Sequence, residues 1–286
     1  MKKVVLITGT NSGFGYLTAK GAAERGYTVY ASMRNTQTRN KERADELGSL
    51  ENIEVIDIDV TDSSSVEKGI SQILDKEGRL DVLVNNAGYY GGGITESYSE
   101  QDVEAMFNVN LLGTWRTIKN ALPQMRNQGE GLIINISSGL GRFSAPFMTV
   151  YNSTKFAVEG LSEGLHYELR PLGVDVAIIQ PGAFPTEIFS KTAQGSDAQV
   201  VEGYGQLAQV PQQIGEGMSE MFENVKPNPQ MVPDAIFKLI DTPKSQRPLR
   251  TVVDPLTGQF VEQANDNVKK DFDNFLTAFG MEAMLN

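Results

Sequence analysis

Residues 3–8 read Lys-Val-Val-Leu-Ile-Thr, an apolar run that stops at Gly9. A strand with one face in water alternates apolar and polar side chains. A strand covered on both faces is apolar along its length, which is the pattern of a parallel sheet. Parallel neighbours need a crossover connection, usually a helix, and cannot be joined by a hairpin. The opening run therefore holds the chain to a strand–helix–strand order, and the rest of the sequence keeps that order. Apolar runs at 28–32, 53–58, 80–84, 132–136, 174–179 and 247–253 alternate with helical periodicity at 14–25, 39–48, 64–77, 99–127, 151–170 and 232–241, and an amphipathic helix closes the chain at 258–278. The expected fold class is α/β, a doubly wound parallel sheet of about seven strands with helices on both faces. No internal repeat interrupts the pattern, and residues 1–286 read as one domain.

The first connection carries the sequence Gly9-Thr10-Asn11-Ser12-Gly13-Phe14-Gly15. A glycine-rich turn between a strand and a helix lets the backbone approach a phosphate, and the helix N-terminus offers free N–H groups and a positive dipole. The same glycines also suit a tight turn that needs positive φ. The second strand ends Ser32-Met33-Arg34-Asn35 without the acidic residue that grips a ribose 2′-hydroxyl. Arg34 instead suits a 2′-phosphate, which favours NADP over NAD, unless it is a solvated loop residue. After the third strand, Asp59-Val60 can accept an adenine amino group, although Asp59 or Asp62 can equally cap the next helix, and capping is the better reading for Asp62. The fourth strand runs into Asn85-Asn86-Ala87-Gly88, a turn whose side chains can bond to neighbouring backbone.

A formal net charge of −11 opposes nucleic acid and anionic membrane surfaces as partners. There is no cysteine and one histidine, His166, so a thiolate site, a histidine triad and a multi-histidine metal centre are all excluded. The N-terminal apolar run is far too short for a signal peptide or a spanning helix, and the default expectation is a cytoplasmic protein.

Tyr151 and Lys155 stand at i and i+4 and share one helix face. A free phenol titrates near ~10 and a free ammonium near ~10.4, and an ammonium beside a phenol favours the phenolate. Such a pair can give a proton to a carbonyl oxygen or take one from an alcohol. By spacing alone, the pair is equally an ordinary amphipathic helix face. Asn110, inside the apolar stretch 99–127, reads on its own as a side chain turned outward or bonded to the preceding turn. Residues 187–230 lose the strand–helix rhythm and read as a partly helical lid, whose apolar residues can meet a bulky substrate or pack on the core.

Taken in order, these motifs resemble the short-chain dehydrogenase/reductase family over essentially the whole chain. Thr8-Gly9-x-x-x-Gly13-x-Gly15 is similar to the cofactor turn of its compact branch, Asn85-Asn86-Ala87-Gly88 to its structural motif after the fourth strand, and Tyr151-x-x-x-Lys155 to its active-site pair. Ser138 precedes Tyr151 by thirteen residues, as the family's serine does, Asn110 falls where its helical asparagine lies, and Pro181-Gly182 with Thr186 is similar to its nicotinamide-contacting segment. The resemblance implies a Rossmann-type fold and hydride transfer between NADP(H) and a carbonyl or alcohol, with Asn110, Ser138, Tyr151 and Lys155 catalytic and no metal. It implies cofactor contacts from Gly9, Asn11, Ser12, Gly13, Phe14, Gly15, Arg34, Asp59, Val60, Asn86, Ala87, Gly88, Tyr151, Lys155, Pro181, Gly182 and Thr186. In the implied mechanism Lys155 also grips the nicotinamide ribose, Ser138 bonds the substrate oxygen, and Asn110 bends its helix through a bound water that links Lys155 to solvent. The cofactor turn carries Thr10-Asn11 and no basic residue, so a second phosphate partner is not evident. The resemblance further implies a homodimer or homotetramer paired through the long helices that hold Asn110 and Tyr151, with His166 structural or interfacial. It also hints at aldehyde, ketone, retinoid-like or steroid-like substrates. A silent NADP-binding sensor is the alternative, disfavoured by the complete Tyr–Lys pair, and a dehydratase or epimerase is disfavoured by the turn spacing.

Overall fold

The computed structural model describes residues 2–189 and 192–285. Seven parallel strands make one sheet: β1 (Val4–Thr8), β2 (Thr28–Met33), β3 (Ile53–Asp57), β4 (Val82–Asn85), β5 (Gly131–Ile136), β6 (Val174–Pro181) and β7 (Arg250–Val253), in the order β3-β2-β1-β4-β5-β6-β7. Both faces are covered, and consecutive side chains of the central strands enter opposite layers. Val5 and Ile7 of β1 join a core with α1 (Gly13–Glu24), Leu47 of α2 (Lys41–Gly48), and α9 (Met231–Asp241). Leu6 joins the opposite core with α3 (Ser63–Glu77), α5 (Thr114–Gln128) and α6 (Thr149–Leu169). The doubly wound α/β expectation is met, because a continuously apolar strand is stable only with a layer on each side.

The stretch expected as one helix over 99–127 is broken into α4 (Glu100–Phe107), a π-helical turn at Asn108–Gly113, and α5. The turn packs closely on the loop after β3: a side chain on Gly113 would strike Val60. The lid region holds α7 (Ala198–Gly203), a 3₁₀ turn and α8 (Val210–Val225); residues 190 and 191 of the expected lid lie outside the described residues. Then come α9 (Met231–Asp241), β7 and α10 (Gly258–Ala278).

The last strand is shorter than the 247–253 expected. Pro248 has no N–H to give the ladder, and Arg247 turns inward. Its Nη1 donates to Asp175 Oδ2 at 2.7 Å and its Nε to the Leu239 carbonyl at 2.8 Å, and the Ser245 N–H bonds the same carboxylate oxygen. Both side chains of this pair are over nine-tenths buried. Removing one partner of a buried pair leaves an uncompensated charge and costs about 3–5 kcal/mol. Arg247→Met should therefore lower the urea-unfolding free energy by about that amount. An unchanged midpoint would show that Asp175 finds other partners.

Candidate active site

Strand order reverses between β1 and β4, whose crossovers leave to opposite sides of β1, and in open α/β sheets that point opens a crevice at the carboxyl ends of the strands. Here the crevice is closed from below by side chains. Thr8 Oγ1 accepts the N–H groups of Asn86 and Ala87, each at 3.0 Å, while Asn86 Nδ2 donates to the carbonyls of Thr8 (2.9 Å) and Gly9 (3.0 Å). The stapling brings the two turns so close that a side chain on Gly9 would sit 2.8 Å from Ala87 Cα, with φ already +70°. A side chain on Gly15 would strike Asn86 and the Gly9 carbonyl. Gly13, at φ +55°, faces Thr186. Ser12 occupies the cap position of α1 without using its side chain, and the first turn contains no acid. The result is an open, anion-compatible helix end.

Most of the residues expected to hold a cofactor line the crevice at this turn: Gly9, Asn11, Ser12, Gly13, Phe14, Arg34, Asp59, Val60, Asn86, Ala87, Gly88 and Thr186. Pro181, Gly182, Tyr151 and Lys155 line the adjoining cavity, which shares Phe14, Asn86, Gly88 and Thr186 with the first, so the two form one cleft. Gly15 lines neither and supports the turn from beneath. Several cleft residues escaped the sequence reading, among them Arg39, Asn40 and Tyr89. Arg39 supplies a second guanidinium close to Arg34, outside the glycine turn where a basic partner was sought. Asn40 donates to the Arg34 carbonyl at 2.7 Å. Two arginines in one short loop after the second strand were the available signal.

Asp59 neither caps a helix nor stands free. Its Oδ1 accepts the N–H and Oγ1 of Thr61, and its Oδ2 lies 3.6 Å from Arg34 Nη1. Burial would raise this carboxyl, but the Thr61 bonds and Arg34 outweigh it and hold the group below its ordinary range. Asp62 caps α3 through Ser64 N–H at 2.8 Å, as read from the sequence.

Asn110 departs from the outward orientation that its position alone suggested. It is buried, and its amide grips both backbone groups of Tyr89, accepting the N–H and donating to the carbonyl at 3.0 Å each. The same Nδ2 donates to Thr154 Oγ1 at 3.0 Å. Asn110 therefore reaches α6 beside Lys155 through Thr154. Beneath it runs a buried relay that was not foreseen, from Thr117 to Asn85, Asn135 and Ser162.

The fifth strand ends on Ser137-Ser138, whose backbone is fully extended at Ser138 (φ −168°), and the following 3₁₀ turn begins with Leu140 N–H bonded to Ser138 Oγ at 3.1 Å. Across from it α6 presents Tyr151, which lines the same cavity and has Ser138 as a polar neighbour. Tyr151 packs edge-on to Tyr90 at 5.0 Å between centroids, and Tyr90 in turn meets Phe189 at 5.3 Å. Lys155 is buried as well, with Nζ donating to the Ile136 carbonyl at 2.9 Å and lying 5.6 Å from the Tyr151 ring centroid. The expected lowering of the phenol by Lys155 does not occur in this state. Burial raises the Tyr151 phenol, the Ser138 hydrogen bond only partly opposes that, and Tyr90 adds to it. Burial also lowers Lys155 to about 8, with Glu159 opposing. Both groups are thus held toward their neutral forms. His166 lies on the far part of α6, half-buried against the Val176 carbonyl, away from this cleft.

A model of the short chain dehydrogenase family matches residues 3–197. This chain belongs to that family. Its members are oxidoreductases acting on hydroxyl and keto groups. The chain is 39% identical over 184 residues to a 3-ketodihydrosphingosine reductase of Bacteroides thetaiotaomicron, covering 64% of this chain and 65% of that enzyme. It is equally 39% identical over 188 residues to the mitochondrial D-beta-hydroxybutyrate dehydrogenase of Mus musculus, covering 64% and 54%. In both cases the match spans less than two thirds of the relative. Among solved structures, ElxO with NADP bound is 31% identical with a TM-score of 0.72, over 89% of this chain and 97% of that one. None of the described helices is long and apolar enough to cross a membrane.

The burial of Lys155 has a measurable consequence. Its folded value is lowered from 10.5 to about 8, so between pH 8 and 10 the unfolded chain holds a proton that the folded protein has released. Stability from this group rises with pH through that window, by at most about 1.4 kcal/mol per unit, and its cost is constant below pH 8. Lys155→Met should remove that slope. Urea unfolding at pH 7.5 and 9.5 measures it, and parallel changes in wild type and variant would mean that Lys155 keeps its proton.

Proposed function

We propose that the protein is an NADP(H)-dependent oxidoreductase that interconverts a carbonyl compound and its alcohol. The observation that carries this reading is that Ser138, Tyr151 and Lys155, the last one turn further along α6, line one cavity that opens into the glycine-turn crevice. The dinucleotide fits the residues present: Gly9, Gly13 and Gly15 keep open a cradle that any Cβ would fill or strain. When bound, it supplies the hydride in reduction or accepts it in oxidation.

The chain's own residues do the rest. Asn11, Ser12, Gly13 and Phe14 at the start of α1 would hold the diphosphate, Asp59 and Val60 would receive the adenine, and Pro181, Gly182 and Thr186 would receive the nicotinamide. Asn86, Ala87 and Gly88 form the floor. Ser138 donates to the substrate oxygen, stabilising the charge that grows there as the carbonyl is reduced. Tyr151 gives that oxygen a proton in reduction and takes it back in oxidation. Because burial raises the phenol, it needs a neighbouring positive charge to release its proton near neutral pH. Among the described residues Lys155 is the only cation lining that cavity, and exchanging its bond to the Ile136 carbonyl for the nicotinamide ribose hydroxyls would keep it charged and close. Asn110 positions α6 through Thr154 and fixes the backbone of Tyr89.

The preference for NADP rests on Arg34, whose side chain is half exposed at the crevice, with Arg39 beside it as a second guanidinium. An acid grips a ribose 2′-hydroxyl at this place, and a guanidinium suits a phosphate. We also read the protein as a cytoplasmic homodimer or homotetramer. Leu112, Trp115 and Phe156 are each more than two-fifths exposed around α5 and α6, which supports pairing there.

Tyr151→Phe should reduce NADPH-dependent carbonyl reduction by about 10²–10⁴-fold while NADPH still binds, as measured by fluorescence titration. Retained turnover would remove Tyr151 from the proton-transfer role. Tight NADPH binding by the wild type with no turnover of any aldehyde or ketone would replace this reading with a nucleotide sensor. Arg34→Ala should weaken NADPH by about tenfold or more, the worth of a charge-assisted hydrogen bond, and NADH very little. Equal losses would defeat the 2′-phosphate assignment.

A further inference from the structure

We infer that the cavity beside Tyr151 takes an uncharged carbonyl compound with a sizeable apolar portion, and that α8 is the wall that selects it. This rests on the hydride-transfer reading above. Relatives at equal identity act, by name, on a ketodihydrosphingosine and on a short hydroxy acid, so overall similarity does not decide the substrate and the cavity must.

The cavity has a volume of about 660 Å³, within the ordinary range for small-molecule sites. Among the described residues lining it, the charged side chains are Lys155 and Asp254. Asp254 is committed to its own turn: Oδ1 accepts the N–H groups of Leu256 and Thr257, and Oδ2 accepts Thr257 Oγ1. Lys155 is drawn down to the Ile136 carbonyl at the floor. Among the described residues no arginine lines the cavity, so a substrate carboxylate would lose water without gaining a free cation as partner.

The roof has the opposite character. Ile214, Met218 and Met221 stand at i, i+4 and i+7 of α8, which puts them on one face, and all three line the cavity. No residue of α8 is fully buried, so this apolar stripe is left half-covered directly above the reacting groups. Phe143, more than two-fifths exposed, faces the same space. Flexible methionines suit a wall that adapts to the shape it meets. Behind Tyr90, Met148 and Phe189 a second cavity of about 1040 Å³ shares these walls, together with Ile214 and Met218, which gives a longer chain room to continue. In the forward step the carbonyl carbon receives the hydride of NADPH and its oxygen the Tyr151 proton, giving a secondary alcohol and NADP⁺. The apolar portion does no chemistry and is held by burial alone.

The test is NADPH oxidation by the wild-type protein with four ketones: 2-butanone, 2-octanone, acetoacetate and 4-methyl-2-pentanone, the last replacing the carboxylate of acetoacetate by an isopropyl group. Burying each methylene is worth roughly a three- to fourfold gain, so kcat/KM should rise on the order of 100-fold from 2-butanone to 2-octanone. Acetoacetate should be at least tenfold poorer than its uncharged counterpart. Met218→Arg should narrow or reverse that second ratio by placing a cation in the roof. Turnover of 2-butanone without a gain for 2-octanone, acetoacetate equal to its counterpart, or an unmoved ratio in Met218→Arg would overturn the assignment while leaving hydride transfer standing. No oxidation with any of the four would overturn the hydride-transfer reading itself.

Discussion

The bonds between Thr8 and Asn86 hold the rest of the site together. β1 and β4 are neighbours in the sheet but far apart in sequence, and the backbone groups just beyond their ends have no further ladder to join. One hydroxyl and one amide satisfy four of them and pull the two turns into contact. Glycine at position 9 follows from that contact, because no side chain fits against Ala87. The open start of α1 follows from the glycine turn. A phosphate-compatible cleft is what remains when two parallel strands end side by side and their continuations part.

The second organising element is the burial of two groups that are charged or easily charged in water. Tyr151 and Lys155 sit on one helix face, yet the protein holds one above its ordinary value and the other below it. Solvation in water would leave the phenol protonated and the ammonium charged. In the cleft the cost of keeping a charge is high, so burial favours the neutral form of each group. Glu159, a turn beyond Lys155, is held by Arg250 at 2.9 Å and by Gln180, which ties this balance to β7 and β6.

The strand order and both helical layers were legible because the apolar runs are long and the crossovers regular. Gly9, Ser138, Tyr151 and Lys155 were legible because their spacing is tied to those strand ends. The π turn at Asn108–Gly113 was not, since the apolar periodicity of 99–127 passes through it unchanged. Asn110 looked outward-facing because its partners, Tyr89 and Thr154, are 21 and 44 residues away. Arg39 was missed because a loop arginine carries no periodic signal. The loss of strand–helix rhythm over 187–230 was readable from the sequence, whereas the direction in which Met218 and Met221 face needed the cleft to be built first.

The cleft is lined from Gly9 at one end of the chain to Val261 near the other. β7, laid beside β6, is the last strand to exist during synthesis. The cavity beside Tyr151 is complete only when Asp254, Leu256, Thr257 and Val261 join walls contributed by Phe14, Ser138 and Met218. Bringing together segments so far apart in sequence carries a loop-closure cost that no local contact offsets. The strand order thus makes the apolar space next to Tyr151 a product of the whole sheet and not of any one segment.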